Sequence, residues 1–255
     1  MLGTPNLQVE LLEARDLPAG TVTAAFAGGV LTLTGDAQAN SLEVRISNGK
    51  VTLKGTKDTA IVGGTSFAGV VDITIVLGNG NDSVSVRGRT LAGNLTIDLG
   101  NGNDRASLKK LSVTGNVTVT GGAGNDRVDI EDDVAVGGNL SVSTNAGNDR
   151  IEIEDDVSVG GNTSLFTNDG DDRIDIEELN VAGVTNIDTG LGNDKVEIEE
   201  SDFVGAVNVL LGAGNDNIRL DDVNFGAAST LDGGPGVDKV KRDDVSGPVA
   251  YLNFP

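Results

Sequence analysis

The stretch GGAGNDRVDI, residues 121–130, is a glycine-rich turn that closes on Asn-Asp and passes at once into an alternating strand pattern. Closely similar stretches occur eight times along the chain. The aspartates that close these turns are separated by 22 or 23 residues and are Asp82, Asp104, Asp126, Asp149, Asp172, Asp194, Asp216 and Asp238. A period this regular predicts a solenoid, in which each repeat stacks only on its neighbours.

One repeat, residues 127–149, predicts three short strands. Its apolar residues alternate in three pairs, Val128/Ile130, Val134/Val136 and Leu140/Val142. Such alternation is typical of strands, and strands this short bury a core only when like strands of successive coils stack in parallel. The sequence therefore predicts an all-β fold, a right-handed parallel β-helix with roughly triangular coils of 22–23 residues, capped at both ends.

Four segments are predicted along the chain. They are an N-terminal capping or sorting segment (1–20), degenerate first coils (21–76), regular β-helix repeats (77–242) and a C-terminal cap (243–255). Caps are expected because both ends of a solenoid expose core side chains and unpaired strand edges. At the C-terminal end, Tyr251 and Phe254 suit an aromatic lid.

Composition narrows the chemistry that the chain can perform. The formal net charge of the 255 residues is −21, and there is no Cys and no His. A charge of this sign repels nucleic acid and attracts divalent cations. Without Cys and His, Zn²⁺ and Cu²⁺ sites are disfavoured, whereas oxygen-only sites for hard cations stay open. No apolar run approaches the length of a membrane span, so no transmembrane segment is expected.

Two columns of equivalent residues mark the turn. Glycine occupies the first without exception, at Gly80, Gly102, Gly124, Gly147, Gly170, Gly192, Gly214 and Gly236. A Cβ is therefore expected to be excluded there, by a positive φ or by close approach of another backbone. The second column is the aspartates. Stacked at about 5 Å, each neighbouring pair of carboxylates repels by on the order of 3 kcal/mol at an effective dielectric constant near 20.

That repulsion must be offset by basic side chains or by a bound cation. The next column is basic, at Arg105, Arg127, Arg150, Arg173, Lys195 and Lys239. Adjacent residues of a strand point to opposite sides, so these side chains are expected to face away from the aspartates. They are predicted to pair instead with the outward residues Asp129, Glu152, Asp175 and Glu197. A cation at the aspartate column is therefore favoured.

The turn resembles the nonapeptide of haemolysin-type calcium-binding (RTX) repeats, G-G-x-G-x-D-x-U-x with U a large apolar residue. The resemblance covers residues 77–240 and implies Ca²⁺ between stacked turns, with the eight aspartates as carboxylate ligands. It also implies carbonyl ligands from the turn glycines, Gly80, Gly102, Gly122, Gly124, Gly147, Gly170, Gly192 and Gly214. This chain departs from the pattern in having one such turn per 22–23 residues and the first Gly only at Gly121 and Gly233. The alternative is a tight turn in which Asp bonds its own backbone.

Two further columns are polar. Acidic clusters follow the first strand of each coil, as in Glu131-Asp132-Asp133, and suit either loose cation binding or a solvated face that keeps a rod soluble. Asn94, Asn116, Asn139 and Asn162 form a column whose side chains are expected to hydrogen-bond from coil to coil.

These features favour a non-catalytic, extracellular calcium-binding β-solenoid with a structural, matrix or adhesion role. Weak oxygen sites fill where Ca²⁺ is plentiful, outside cells. VELLEARDLP, residues 9–18, resembles a short N-terminal motif of planctomycete-type bacterial surface proteins and agrees with a secreted or cell-surface location. The expected partners are calcium ions, with end-to-end self-association or a cell-surface polysaccharide also open. The alternative functions are a polysaccharide-active β-helix enzyme and a repetitive-face module that binds ice or a basic partner without calcium.

Overall fold

The computed structural model describes residues 20–47 and 49–254. These residues form strands and no helix. The described part of the chain therefore contains no helix that could span a membrane. In chain order the strands are β1 Gly20–Ala27, β2 Val30–Thr34, β3 Ser41–Ser47, β4 Lys50–Gly55, β5 Thr59–Val62, β6 Ser66–Ala68, β7 Asp72–Val76, β8 Ser83–Gly88, β9 Thr90–Leu91, β10 Leu95–Asn101, β11 Arg105–Lys109, β12 Ser112–Val113, β13 Val117–Ala123, β14 Arg127–Glu131, β15 Val134–Val136, β16 Leu140–Ala146, β17 Arg150–Ile153, β18 Val157–Val159, β19 Thr163–Phe166, β20 Arg173–Glu177, β21 Leu179–Val181, β22 Thr185–Asp188, β23 Lys195–Phe203, β24 Val207–Leu210, β25 Asn217–Phe225, β26 Ser229–Asp232, β27 Lys239–Ser246 and β28 Val249–Leu252.

The strands form two sheets of stacked coils. The first sheet has the order β28-β26-β24-β22-β19-β16-β13-β10-β7-β2-β1-β5, and the second contains the remaining strands. From β7 onward every pairing is parallel and joins residues one coil apart, such as Leu95 with Val117 and Val117 with Leu140. The predicted parallel β-solenoid with coils of about 22 residues is confirmed.

Inward side chains of both sheets form one continuous aliphatic core. In a single coil Val128, Ile130, Val136 and Val142 are 0–3% exposed, and their equivalents stack above and below them. Burying a side chain of this size stabilises the fold by roughly 1.5–3 kcal/mol. This explains how a chain with 3% aromatic residues holds together. The stability of the fold comes from many buried aliphatic side chains, repeated in every coil, rather than from a few large aromatic rings.

The asparagine column joins the coils as expected. The backbone N–H of Asn116 donates to Oδ1 of Asn94 at 2.9 Å, and the N–H of Asn139 donates to Oδ1 of Asn116 at 2.8 Å. The same bond runs on to Asn162 and Val184. The predicted hydrogen bonding along this column is confirmed, with backbone N–H groups as the main donors.

Hairpins distinguish the first coils from the rest. β1 pairs with β2, and β4 pairs with β3 and β6, in antiparallel fashion. β3 nevertheless pairs in parallel with β8, which places Ser41 opposite Ser83 in the register of the later coils. Residues 21–76 therefore enter the solenoid through hairpins. Residues 1–19 of the predicted N-terminal capping or sorting segment, including the motif at 9–18, lie outside the described residues.

The last coil closes the core with polar and aromatic side chains. Residues 243–254 complete β27 and form β28, the final strands of the two sheets. Arg242 takes the core position of Leu220, and its guanidinium lies 4.8 Å from the centre of the Tyr251 ring. Phe254 packs edge-on against Tyr251 at 6.4 Å. Tyr251 and Phe254 are partly buried and pack against the aliphatic core.

The acidic clusters that follow the first strand of each later coil lie at one corner of the solenoid, which we call the acidic corner; it consists of residues 131–133, 154–156, 177–178, 199–200 and 221–222. This corner accommodates the variation in coil length. Lys109 is opposite Glu131, but Ser112 is opposite Ala135, so the extra residue of a 23-residue coil lies between them. Asp132 and Asp133 both have positive φ, 63° and 62°, whereas 22-residue coils have one such residue, as at Glu178. Aspartate tolerates this left-handed geometry better than most residues. Part of the acidic cluster is therefore explained by backbone geometry.

Candidate functional site

The turn glycines are fixed by contact between successive coils. Gly124 has a φ of +123°, and a Cβ there would overlap the carbonyl oxygen of Gly102. The same overlap with the preceding glycine would occur at Gly102, Gly147, Gly170, Gly192, Gly214 and Gly236. Only glycine fits such a position, so the predicted exclusion of a Cβ is confirmed.

The eight aspartates form a hydrogen-bonded ladder. The backbone N–H of Asp104 donates to Oδ1 of Asp126 at 2.9 Å, and that of Asp126 donates to Oδ1 of Asp149 at 2.7 Å. The pattern begins with the N–H of Asn40, which donates to Asp82, and it ends at Asp238, with all eight bonds between 2.6 and 2.9 Å. Each carboxylate thus bonds the backbone of the preceding coil. The alternative in which it bonds its own backbone is wrong.

The second oxygen of every ladder carboxylate is buried without a hydrogen-bond partner. This holds for Oδ2 of Asp82, Asp104, Asp126, Asp149, Asp172, Asp194, Asp216 and Asp238. The eight residues are between 0 and 3% exposed. A buried carboxylate oxygen with no partner costs several kcal/mol unless a proton or a cation compensates it.

Burial accordingly raises the pKa of these groups. Desolvation raises the pKa of Asp126 and Asp194 to about 7, against the smaller lowering effect of the backbone N–H that each accepts. The pKa of Asp104 and of Asp172 is raised to about 6 for the same reason. Near neutral pH a fully ionised ladder is therefore unfavourable in the absence of added positive charge.

Oxygen atoms of the turn converge beside the ladder. A Cβ at Gly121 would meet both Oδ2 of Asp126 and the carbonyl oxygen of Thr144. At Gly233 a Cβ would lie 2.9 Å from Oδ2 of Asp238. These donors are all oxygen, which fits a hard cation. Among the described residues, no three or more Asp and Glu side chains cluster closely enough to hold a metal by themselves, so carbonyl groups would have to supply further ligands.

Buried threonines were missed by the sequence reading. Thr144, Thr167 and Thr189 occupy the position of the first motif glycine, five residues before Asp149, Asp172 and Asp194. They are 0% exposed, and the hydroxyls of Thr167 and Thr189 donate to the carbonyl oxygens of Thr189 and Leu211 in the next coil. The signal for them was a polar residue that recurs three times in a column otherwise filled by Leu and Gly.

The basic column faces away from the ladder and pairs on the outside. Nε of Arg127 lies 2.6 Å from Oδ1 of Asp129, and the Arg127 guanidinium also contacts Glu152 of the next coil. Arg150 and Arg173 bridge successive coils in the same way, at Glu152, Asp175 and Glu197. We call this outer column the arginine zipper. The predicted pairing with outward carboxylates is confirmed for Arg105, Arg127, Arg150, Arg173 and Lys195, so these residues do not neutralise the ladder. It is wrong for Lys239, which forms no ion pair with any described residue, because Lys241 stands at the position of the outward carboxylate in its coil.

Pairing sets the pKa values in the zipper. Burial tends to raise the pKa of Asp129, but its contacts with Glu152 and with the guanidinium groups of Arg127 and Arg105 lower it overall. The ammonium group of Lys195 lowers the pKa of Glu197. Glu152 is the exception, because burial and the neighbouring Asp129 raise its pKa to about 7.

No family model, curated protein or solved structure matches the chain.

Proposed function

We propose that the chain is a non-catalytic structural β-solenoid in which Ca²⁺ binds between successive turns. The observation that carries the proposal is the set of eight buried Oδ2 atoms without a partner, one in every turn. A divalent cation would compensate the charge of two neighbouring carboxylates at once and would favour their ionised form. The resemblance of the turns to RTX repeats and the absence of Cys and His support this choice of ion.

The ligands in this proposal come from one turn and the next. Oδ2 of each ladder aspartate supplies the charge, and the carbonyl groups of the turn glycines supply neutral oxygens. In the middle coils the hydroxyls of Thr144, Thr167 and Thr189 add a third kind of oxygen. Bound Ca²⁺ supplies positive charge between coils and performs no chemistry on a substrate.

Regularity favours a structural role over catalysis. Between Asp82 and Asp238 the coil length varies by a single residue. An active site on such a scaffold usually requires a longer loop that breaks the repeat. A stiff rod with a strongly acidic surface suits spacing, matrix or adhesion outside a cell.

Location follows from the affinity expected of such sites. Ca²⁺ sites with few charged ligands bind in the range of about 10⁻⁴–10⁻³ M, which is met outside cells and not in the cytosol. The sequence motif at residues 9–18 agrees with a secreted or cell-surface protein.

Calorimetric titration of the full chain with CaCl₂ tests the proposal. Binding is expected with several ions per chain, together with a higher unfolding temperature than in EDTA. The triple variant Asp126→Asn, Asp149→Asn, Asp172→Asn is expected to lose ions. The control Asp133→Asn, Asp156→Asn, Glu178→Gln makes the same charge change at the acidic corner and is expected to keep them.

Two results would overturn it. The first is no binding heat together with identical thermal unfolding in Ca²⁺ and EDTA, which would leave protons as the compensation at Oδ2. The second is loss of ions only in the control, which would move the binding to the acidic corner.

A further inference from the structure

The net charge of the protein is confined to one part of the rod. Residues 20–110 contain nine basic and seven acidic side chains, a net charge of +2. Residues 111–255 contain eight basic and 29 acidic side chains, a net charge of −21. The solenoid is therefore a rod with a weakly basic beginning and a strongly acidic remainder.

The change of sign occurs along a single outward column. Arg45 is opposite Arg87, Arg87 is opposite Lys109, and Lys109 is opposite Glu131. Later coils continue the column with acidic residues only, Glu154, Glu177, Glu199, Asp221 and Asp243. Nζ of Lys109 lies 2.6 Å from Oε1 of Glu131, so the sign reverses between adjacent coils.

The basic part of this column lines a groove of about 480 Å³. Five cationic side chains contribute to it, Arg45, Arg87, Arg89, Lys109 and Lys110, with Asp132 as its one acidic lining residue. Glu43 contacts Arg45 and Arg87. Arg89 and Lys110 are exposed and form no ion pair with any described residue. We call this surface the basic groove.

The acidic part presents unpaired charge at the same corner. Asp155, Asp156, Glu177 and Glu178 are partly or fully exposed, and they form no ion pair with any described residue. Burial, followed by the neighbouring carboxylates Glu154 and Glu199, raises the pKa of Glu177. This corner is therefore a surface at which added positive charge lowers the free energy.

We infer that two copies of this chain pair side by side and antiparallel, with the basic groove of each on the acidic corner of the other. Both surfaces lie on one line of the rod and share one coil spacing, about 4.8 Å. With the two-fold axis between the coils of Lys109 and Glu131, Lys109 faces Glu131, Arg87 faces Glu154 and Arg45 faces Glu177 of the second copy. Three basic coils then meet three acidic coils, twice over.

Closed two-fold symmetry follows from this arrangement. A two-fold interface uses the same patch on both copies, and each copy here carries both signs of charge. A parallel arrangement in register would instead oppose like charges along the whole column. The pairing is lateral, so it differs from end-to-end stacking of coils. It also requires no Ca²⁺ at the turns, and its failure is distinguishable from failure of the calcium proposal.

Sedimentation velocity of the full chain in EDTA tests the pairing. A dimer is expected at low ionic strength and a monomer at about 0.5 M NaCl, where exposed charges are screened within a few ångströms. The variant Arg89→Glu, Lys110→Glu is expected to weaken dimerisation at least about tenfold, equivalent to about 1.4 kcal/mol. Glutamate is native at the position of Lys110 in later coils, at Glu178 and Glu200, so the fold should tolerate it.

Two further variants make the test specific. Asp133→Lys, Asp156→Lys is also expected to be monomeric, because these residues lie in the coils that face Lys110 and Arg89 of the second copy. Mixing it with Arg89→Glu, Lys110→Glu is expected to restore a dimer. The control Lys54→Glu, Lys57→Glu changes the net charge equally outside the groove and is expected to dimerise nearly as wild type.

Three outcomes would overturn the inference. They are a wild-type monomer at every salt concentration, an unchanged dimer in the groove variant, and a monomer that binds dextran sulfate through the groove. The last would assign the basic groove to an acidic polymer instead of a second copy.

Discussion

Asp126 and Asp129 lie three residues apart in the same coil and are both buried, 2% and 1% exposed. Burial raises the pKa of Asp126 to about 7, whereas the pKa of Asp129 is lowered. The difference is pairing. Asp129 contacts the guanidinium groups of Arg105 and Arg127, while Asp126 accepts one backbone N–H and leaves Oδ2 without a partner.

The comparison separates two ways of stacking charge in a solenoid. In the arginine zipper, each arginine contacts a carboxylate of its own coil and a carboxylate of the next coil, as Arg127 does, so neighbouring coils attract each other. In the aspartate ladder, identical groups stack and only hydrogen bonds to the backbone oppose their repulsion. The zipper is thus compensated within the chain except at Glu152, whose pKa is raised to about 7, whereas every carboxylate of the ladder requires a proton or an ion from outside it.

The largest expected effect is a pH dependence of opposite sign for the two columns. Ladder groups such as Asp126 and Asp194 have a pKa near 7 when folded and about 3.9 when unfolded. The folded state then holds more protons, so stability in EDTA falls as the pH rises from about 4 to 7. Seven ladder aspartates share this direction, and a loss of roughly 10 °C in Tm between pH 5 and pH 8 is expected.

Thermal unfolding followed by circular dichroism measures this shift. Addition of Ca²⁺ at pH 8 is expected to restore most of the loss. Asp129 and Glu197 in the zipper behave oppositely, because their lowered pKa values make their contribution present above about pH 4 and lost below it. Glu152, with its pKa raised to about 7, follows the ladder. A Tm in EDTA that rises from pH 5 to pH 8 would contradict the account of the ladder.

The second prediction breaks the zipper. Arg127→Glu removes the cation between Asp129 and Glu152 and adds a third carboxylate. We expect a loss of about 3 kcal/mol in the free energy of unfolding, because two buried carboxylates lose a partner. Urea denaturation measures it.

The control for this variant is Lys57→Glu. Lys57 is exposed in a turn and forms no ion pair with any described residue, so a change within about 0.5 kcal/mol is expected. Equal losses in the two variants would mean that net charge, and not the zipper, sets the stability.

The repeat, the parallel stacking and the outward pairing of the basic column could be predicted from the sequence. These features depend on residue spacing and on the alternation of strand side chains, which are local properties. The aspartate ladder was placed correctly as a column, but its bonding was not predicted. Whether Oδ1 of Asp126 accepts from its own turn or from the N–H of Asp104 depends on how two coils stack. The spacing of residues along the sequence does not specify that geometry.

Two other features were not predicted, the hairpins of the first coils and the position of the extra residue in 23-residue coils. The hairpins do have a local sequence signal. Gly28-Gly29 and Asn48-Gly49 are both two-residue combinations typical of hairpin turns, and the antiparallel pairs β1–β2 and β3–β4 flank them. The position of the extra residue in 23-residue coils was not predicted. It depends on which corner tolerates a second left-handed residue, and the answer is Asp132-Asp133.

The third prediction makes the same substitution in both columns. Asp129→Asn leaves two guanidinium groups short of a carboxylate and is expected to cost about 1–3 kcal/mol. Asp126→Asn keeps an oxygen for the N–H of Asp104 and removes the unfavourable buried charge. In EDTA at pH 8 it is expected to change stability by less than about 1 kcal/mol, or to increase it.

Chemical denaturation of both variants in EDTA gives the comparison directly, because each is the other's control. A cost for Asp126→Asn as large as that for Asp129→Asn would contradict the assignment of Asp126 as the unpaired member. Repetition in Ca²⁺ is expected to raise the cost of Asp126→Asn alone.

The smallest expected effect concerns a third class of carboxylate, exposed and unpaired at the acidic corner. Asp133 has a φ of +62°, a left-handed conformation that is strained for an L-residue and unstrained for glycine. Glycine, however, loses more backbone entropy on folding. The balance for Asp133→Gly is a gain of about 0.5 kcal/mol at most.

Ala135→Gly, two residues further on in β15, is the matched control. Its backbone is regular strand, so glycine there is expected to cost about 0.5–1 kcal/mol. Both changes are measurable as shifts of the urea midpoint in EDTA and in Ca²⁺. If Asp133→Gly were destabilising in Ca²⁺ alone, the corner carboxylates would themselves hold the ion, and the contrast between ladder and zipper would no longer account for the charge of this rod.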